Sequence, residues 1–192
     1  MDKEKELIEQ WEKEVYNKNI PDFNILHSIH LGENDHTNIL QQIFLNKVNG
    51  KRLFLESFIE EYLGITDFCE DYNKLDVKVQ VAAIGANEKG FIDLLIEDTT
   101  GEKVIIIENK VCYAPDGDYQ LQRYWCTYAK DASNYNEEFK HSYEEFNFNK
   151  NYDSKYIYIV YLTLDNDKKP SKRTVNEGLS NQWDEWKTYK PL

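Results

Sequence analysis

The sequence is poor in residues that cross-link, interrupt or anchor a polypeptide: its 192 residues include 3 Cys, 4 Pro, 8 Gly and 1 Met. The cysteines are odd in number and form no CxxC pair, so a secreted disulfide scaffold or a zinc ribbon is not expected. No segment approaches the roughly 20 consecutive apolar residues that span a bilayer, and the charged first residues give no sign of a signal peptide. We therefore expect a cytoplasmic protein with no membrane partner.

Positive charge is also scarce, with 23 Lys and Arg against 35 Asp and Glu and a formal net charge of -12. A chain this acidic repels polyphosphate at long range, which disfavours a protein that binds nucleic acid by broad electrostatic attraction. It does not exclude an enzyme that gathers carboxylates around a divalent metal and lets the cation supply the positive charge. Hydrophobic residues make up 41% and aromatic residues 14% of the chain, which is enough for a buried core and argues against disorder.

The domain organisation is simple, because the sequence has no internal repeat and no Gly- or Pro-rich linker. We expect one domain over residues 1–192. It would comprise an N-terminal helical part over 1–66, an α/β core over 74–165 and a C-terminal tail over 166–192.

Apolar residues at helical spacing predict three helices in the N-terminal part. The first covers residues 2–17, the second runs from 34 or 35 to 48, and the third covers 53–63. Asn49-Gly50 is expected to cap the second helix, and Gly64 to end the third.

The hydrophobic period changes in the middle of the chain from that of helices to that of strands. Strands are predicted over 75–81, 91–96 and 103–110, and their short connections indicate an antiparallel meander. A helix over 119–130 and a further strand over 155–164 then indicate a βαβ crossover. The predicted fold class is α/β, with a central mixed sheet of four or more strands flanked by helices.

Two carboxylates and a lysine stand at unusual places in these strands. Asp93 interrupts the otherwise apolar segment 91–96, and Glu108 and Lys110 end the next strand. Because side chains alternate along a strand, Glu108 and Lys110 share a face while Asn109 points away. In a tight hairpin, Asp93 lies opposite the end of the third strand, so one small volume would hold all three charges.

Two readings of this cluster stay open at the level of the residues alone. A single Asp or Glu at a strand end is best explained as part of a salt bridge at a solvated rim. Three charged groups together are explained equally well by a functional site, since burying two carboxylates is costly unless a cation compensates them. Oxygen ligands without a nearby Cys or His cluster favour Mg²⁺ or Mn²⁺ over zinc.

The order of these residues resembles that of a known family. Gly90-Phe-Ile-Asp93, Glu108-Asn-Lys110 and Gln120-x-x-Arg-Tyr124 are similar to the D…(D/E)xK…QxxxY series of the PD-(D/E)XK nuclease superfamily. The similarity is greatest to a branch with a GRID…ENK…QLxRY pattern. A preceding E-x-x-H-[ST] segment of that branch corresponds to Glu33-Asn-Asp-His36-Thr37, and Phe91 replaces its usual arginine. The resemblance covers about residues 25–165.

The resemblance implies a restriction-endonuclease-like core and metal-dependent hydrolysis of phosphodiester bonds. Asp93 and Glu108 would bind Mg²⁺ (or Mn²⁺), and Glu33 would reach the metal from the first helical layer. Lys110 would orient the attacking water, help to deprotonate it, and offset charge in the transition state. Gln120 and Tyr124 would steady the site or contact a phosphate, although core packing alone also explains Tyr124.

The only basic run follows the fourth strand, on a predicted loop. If the protein cleaves nucleic acid, this run is the best candidate for a phosphate contact, because most of the chain is acidic. The residues expected to bind nucleic acid are Lys168, Lys169, Lys172 and Arg173.

The leading prediction is a metal-dependent nuclease that acts on nucleic acid, with DNA as the expected substrate, alone, as a homodimer or with a partner protein. The alternative is a non-catalytic, acidic module of the same fold that binds a protein partner or mimics nucleic acid. A third reading is a metal-dependent hydrolase of small phosphoesters. The sequence shows no element that recognises particular bases.

Overall fold

The computed structural model of the protein describes residues 32–83, 90–100, 102–110, 115–129, 152–163, 170, 171 and 174. All of them belong to the unit Gly32–Leu192. The predicted helix over 2–17 lies outside this part of the chain, and the division into helical part, core and tail stays a prediction. None of the helices described is both long and apolar enough to cross a membrane.

The described strands form one four-stranded sheet in the order β1-β2-β3-β4. Strands β1 and β2 are antiparallel, as are β2 and β3, whereas β4 is parallel to β3. This arrangement confirms the predicted meander, the crossover to the fourth strand and the mixed α/β sheet. The strands are β1 (Asp76–Ala82), β2 (Phe91–Glu97), β3 (Val104–Lys110) and β4 (Ile157–Thr163).

Helices cover both faces of this sheet. Helix α1 (Glu33–Leu45) and helix α2 (Leu53–Ser57), which continues into a π-helical turn (Phe58–Tyr62), precede β1, and helix α3 (Gln120–Tyr128) lies between β3 and β4 in the chain. Strand β3 is buried along its whole length. On one face, Ile105 and Ile107 pack in the core that contains apolar residues of α1 and α2. On the other face, Val104 and Ile106 pack in the core that contains residues of α3.

Helix α1 ends earlier than the sequence indicates, at Leu45 rather than at residue 48. The backbones of Val48 and Lys51 are joined by two hydrogen bonds of 2.9 and 3.1 Å. Between them, Asn49 and Gly50 both have positive φ, 51° and 80°. Asn-Gly is the preferred pair for a two-residue turn with this backbone, so it closes a tight hairpin turn here instead of capping a helix.

Strand β1 contains one irregular residue. Val79 pairs with Leu94 and Val81 with Ile92, which places Gln80 opposite Asp93 in the same register. Gln80 nevertheless has a φ of 52°, in the left-handed region that residues other than glycine rarely adopt.

Candidate active site

Three carboxylates from three different elements meet at one end of the sheet. Glu33 is the first residue of α1, Asp93 lies in β2, and Glu108 lies near the end of β3. One carboxylate oxygen from each lies within 4.8 Å of those of the other two. Asp93 and Glu108 are buried, while Glu33 is half-buried.

The position of Asp93 follows from the way the β2–β3 ladder ends. The last backbone pair of that ladder is Leu94 with Ile107. One residue further, the Oδ2 atom of Asp93 accepts a hydrogen bond of 2.8 Å from the backbone N–H of Asn109. The carboxylate thus takes a bond that the ladder leaves open, and this fixes one of its oxygens beside β3.

Lys110 joins this group from the same face of β3 as Glu108. Its Nζ atom forms an ion pair with Oε1 of Glu108 and lies 3.7 Å from Oε1 of Glu33. The lysine side chain is only 5% exposed, so these contacts are made largely away from water. The predicted grouping of Asp93, Glu108 and Lys110 is therefore present, and Glu33 belongs to the same volume.

A hydrogen-bonded chain holds the start of α1 against β3. The side-chain amide of Asn109 donates to Oγ1 of Thr37 at 3.1 Å, and the Thr37 hydroxyl donates to the backbone carbonyl of Glu33 at 3.0 Å. Thr37 and Asn109 are both buried. Asn109 points to the α1 side of the sheet, as its alternation with Glu108 predicts, and there it locates the helix turn that carries Glu33.

Burial makes both carboxyl groups of the sheet harder to ionise. Burial raises the pKa of Asp93, against the opposing effects of the Asn109 N–H and the charge of Lys110. Burial and the neighbouring charge of Asp93 raise the pKa of Glu108 to about 8, even with Lys110 beside it. Without a bound metal ion, the pair of Asp93 and Glu108 therefore holds a proton at neutral pH that a carboxyl group in water would have lost.

The lysine is stabilised in its charged form, whereas the two carboxyl groups are stabilised in their neutral form. Burial alone would lower the pKa of Lys110, but the charges of Glu108, Glu33 and Asp93 outweigh it and hold the pKa above its usual value. Lys110 is thus a charged ammonium at neutral pH, and it is the only cation among the described residues in contact with these carboxylates.

Gln120 and Tyr124 lie beside the cluster and contact each other. Gln120 Nε2 donates to the Tyr124 hydroxyl at 2.9 Å, and that hydroxyl donates to the backbone carbonyl of Phe91 at 2.5 Å. The ring of Tyr124 is fully buried in the core. Burial, followed by the charge of Glu108, raises the pKa of Tyr124. Tyr124 is therefore both a core residue and an immediate neighbour of the acidic group.

The donor set suits a hard divalent cation. Its ligand atoms are all carboxylate oxygens, the type that Mg²⁺ and Mn²⁺ prefer. Both oxygens of Glu108 are buried, and their only charged partner among the described residues is Lys110, on Oε1. Buried carboxylates need further compensation, and a bound cation would supply it here.

Two neighbours of the cluster, Tyr161 and Asp116, belong to no sequence motif that would have identified them. Tyr161 is paired with Glu108 across the parallel β3–β4 ladder, and its hydroxyl donates to Asp116 at 2.7 Å. The backbone N–H of Ser171 donates to the other oxygen of Asp116 at 2.8 Å. These hydrogen bonds outweigh burial and hold the pKa of Asp116 below its usual value, with a further contribution from Lys110.

The residues predicted to bind nucleic acid, Lys168, Lys169, Lys172 and Arg173, lie outside the described part of the chain. Ser171, in the middle of that run, is described, and its hydrogen bond to Asp116 connects it to Tyr161 and so to the strand beside Glu108.

A family model described as the PD-(D/E)XK nuclease superfamily matches residues 23–190, which is most of the chain. Searches of curated proteins and of solved structures found no match.

Proposed function

The chain belongs to the PD-(D/E)XK nuclease superfamily, and on that premise we propose that it is a Mg²⁺- or Mn²⁺-dependent nuclease that hydrolyses phosphodiester bonds, with DNA as its substrate. The proposal rests on one observation. Carboxylate oxygens of Glu33, Asp93 and Glu108 lie within 4.8 Å of one another, beside the ammonium group of Lys110.

Charge explains why this cluster suits metal binding. Among the described residues, three carboxylates face a single ammonium, and two of these carboxylates are buried. Buried charges without compensation are costly, and the raised pKa values of Asp93 and Glu108 express that cost. A divalent ion would relieve it. Asp93 and Glu108 would be its direct ligands, and Glu33 would complete the set from α1.

The positions of the residues support the roles that we propose for them. A divalent cation at such a site polarises the phosphate and lowers the pKa of bound water. Lys110 is placed to hold the attacking water by a hydrogen bond and to offset negative charge that develops on the phosphate. Gln120 and Tyr124 steady the end of β2 through the carbonyl of Phe91.

The basic run is proposed to contact the nucleic acid backbone. Its member Ser171 is bonded to Asp116, which is bonded to Tyr161, the ladder neighbour of Glu108. This chain of contacts supports a position for the run at the catalytic end of the sheet. Lys168, Lys169, Lys172 and Arg173 would then supply positive charge that the acidic chain otherwise lacks.

A cleavage assay tests the proposal directly. Purified protein is incubated with plasmid, linear and single-stranded DNA and with RNA, in Mg²⁺ or Mn²⁺, alongside Lys110→Ala purified in the same way. We expect cleavage of DNA by the wild type that is lost with EDTA and in the variant. Equal cleavage by both proteins would indicate contamination.

Other outcomes would favour the other readings. Hydrolysis of bis-nitrophenyl phosphate without cleavage of any polymer would indicate a small-phosphoester hydrolase. If no substrate is hydrolysed and isothermal titration calorimetry detects no Mn²⁺ binding, the nuclease hypothesis is contradicted and an acidic interaction module is favoured.

A further inference from the structure

The irregular residue of β1 lies directly across the sheet from one of the carboxylates. Gln80 faces Asp93, and it keeps a left-handed backbone, φ 52°, while the ladder continues in register on both sides of it. This backbone conformation is unfavourable for any residue other than glycine, and it persists only where the surrounding contacts stabilise it. Outliers of this kind concentrate at functional sites.

The contacts of the Gln80 side chain suggest what stabilises it. Its Nε2 atom donates to Oδ1 of Asn34 at 3.0 Å and lies 3.5 Å from Oδ1 of Asp93. Asn34 follows Glu33 in the first turn of α1. One amide group therefore bridges β2 and the start of α1, the two elements that carry carboxylates to the cluster from outside β3.

We propose that Gln80 is a positioning residue for the metal site, whose amide holds Asp93 and the first turn of α1 at the separation that lets Asp93, Glu33 and Glu108 share one cation. This inference rests on the proposed metal-dependent function and adds a residue to it. The other oxygen of Asp93 is already bound by the N–H of Asn109, so Gln80 completes the orientation of that carboxylate. Residues that orient metal ligands in this way typically matter nearly as much as the ligands.

Substitution by glycine distinguishes the contribution of the Gln80 side chain from that of its backbone conformation. Glycine adopts the left-handed conformation without steric cost, so Gln80→Gly preserves the path of β1 while removing the whole side chain and with it the amide. We expect Mn²⁺ binding, measured by isothermal titration calorimetry, to weaken about 10–100-fold. The Mn²⁺ concentration that gives half-maximal cleavage rises by a similar factor, and saturating Mn²⁺ recovers most of the rate. The melting temperature stays at or above that of the wild type.

Asn49→Gly is the matched control. Asn49 has nearly the same backbone conformation, φ 51°, but it lies in the turn between Val48 and Lys51 and makes no contact with the carboxylates. This variant relieves the same kind of backbone strain, and we expect its Mn²⁺ affinity and cleavage to equal those of the wild type.

The outcomes separate this inference from the proposed function. Unchanged Mn²⁺ affinity in Gln80→Gly overturns the inference, and so does an affinity that falls together with the melting temperature, since that marks a purely structural residue. A wild type that binds Mn²⁺ but cleaves no substrate contradicts the nuclease function, while the affinities still decide the role of Gln80. A wild type that binds no Mn²⁺ contradicts both.

Discussion

The side-chain amide of Asn109 donates a hydrogen bond to the hydroxyl of Thr37, a residue 72 positions earlier in the chain. The same hydroxyl donates to the carbonyl of Glu33. Through this one side chain, the first turn of α1 is fixed to the strand that carries Glu108 and Lys110. The site is therefore assembled by a buried polar link as well as by its charges.

Thr37→Val keeps the shape of that side chain and removes the hydroxyl. Because the buried amide of Asn109 loses its acceptor, we expect the free energy of unfolding to fall by about 1–3 kcal/mol. Urea denaturation of the metal-free protein measures this. Thr37→Ser keeps the hydroxyl and should lose clearly less, and equal losses in the two variants would show that the methyl group matters rather than the hydrogen bond.

Lys110→Met tests whether the lysine acts in the reaction or only balances charge. In the proposed mechanism its removal deletes the hydrogen bond to the attacking water and a cation that offsets charge on the phosphate, so we expect the cleavage rate to fall about 10²–10⁴-fold. Mn²⁺ affinity should be equal or higher, because a positive charge no longer opposes the metal. Loss of Mn²⁺ binding in this variant, measured by titration calorimetry, would contradict the separation of the two roles.

The raised pKa of Glu108 predicts how stability depends on pH without metal. The folded group binds its proton up to a pKa of about 8, against an ordinary 4.5 in the unfolded chain. Between these values the folded state holds more protons, so stability falls as pH rises through this window. The raised pKa of Asp93 acts in the same direction.

Thermal melts in EDTA from pH 5 to 8.5 measure this effect. We expect the melting temperature to fall by roughly 5–10 °C in the wild type, and Glu108→Gln to flatten most of the change. Added Mn²⁺ should stabilise the wild type more at pH 8 than at pH 5, since the proton and the metal compete for the same oxygens. A pH profile that Glu108→Gln leaves unaltered would assign the titration to another group.

Tyr124→Phe removes only the hydroxyl that joins Gln120 to the carbonyl of Phe91. Its ring is fully buried, so substrate does not reach it, and we expect kcat to fall about tenfold while KM stays unchanged. The free energy of unfolding should fall by about 1–2 kcal/mol, because the half-buried amide of Gln120 and the carbonyl of Phe91 both lose a partly buried hydrogen bond. A raised KM with unchanged kcat in steady-state cleavage assays would instead place the hydroxyl on a phosphate.

Replacement of Lys168, Lys169, Lys172 and Arg173 by alanine tests the basic run. Each lost phosphate contact should make the logarithmic dependence of DNA affinity on salt shallower by about 0.9. We expect weaker DNA binding in filter-binding assays over a series of salt concentrations, with unchanged Mn²⁺ affinity. A salt dependence identical to that of the wild type would exclude the run from the interface.

Regular alternation made the central part of the site predictable from sequence. Glu108 and Lys110 share a face because strand side chains alternate, and the short turn between the strands brings Asp93 to them. The Asn49-Gly50 pair was less informative, since a helix cap and a two-residue hairpin turn both use positive φ. The helix prediction was wrong by three residues at that point.

Gln80 and Asp116 could not be identified in this way. A glutamine within an alternating strand gives no signal of a left-handed backbone, which only its tertiary contacts stabilise. Asp116 lies between two motifs and acquires its place through Tyr161 and Ser171, which are distant in sequence. Local patterns carry no information about such contacts.

The parallel pairing of β3 with β4 has a consequence for the order of folding. The meander β1–β3 is built from neighbouring segments, whereas β4 reaches β3 only after a long connection, and long-range pairings of this kind form slowly. Asp93 and Glu108 can meet as soon as the hairpin closes, but Tyr161, which borders Glu108 and binds Asp116, arrives with the last of the described strands. The buried surroundings of Glu108 are therefore completed only when β4 pairs with β3.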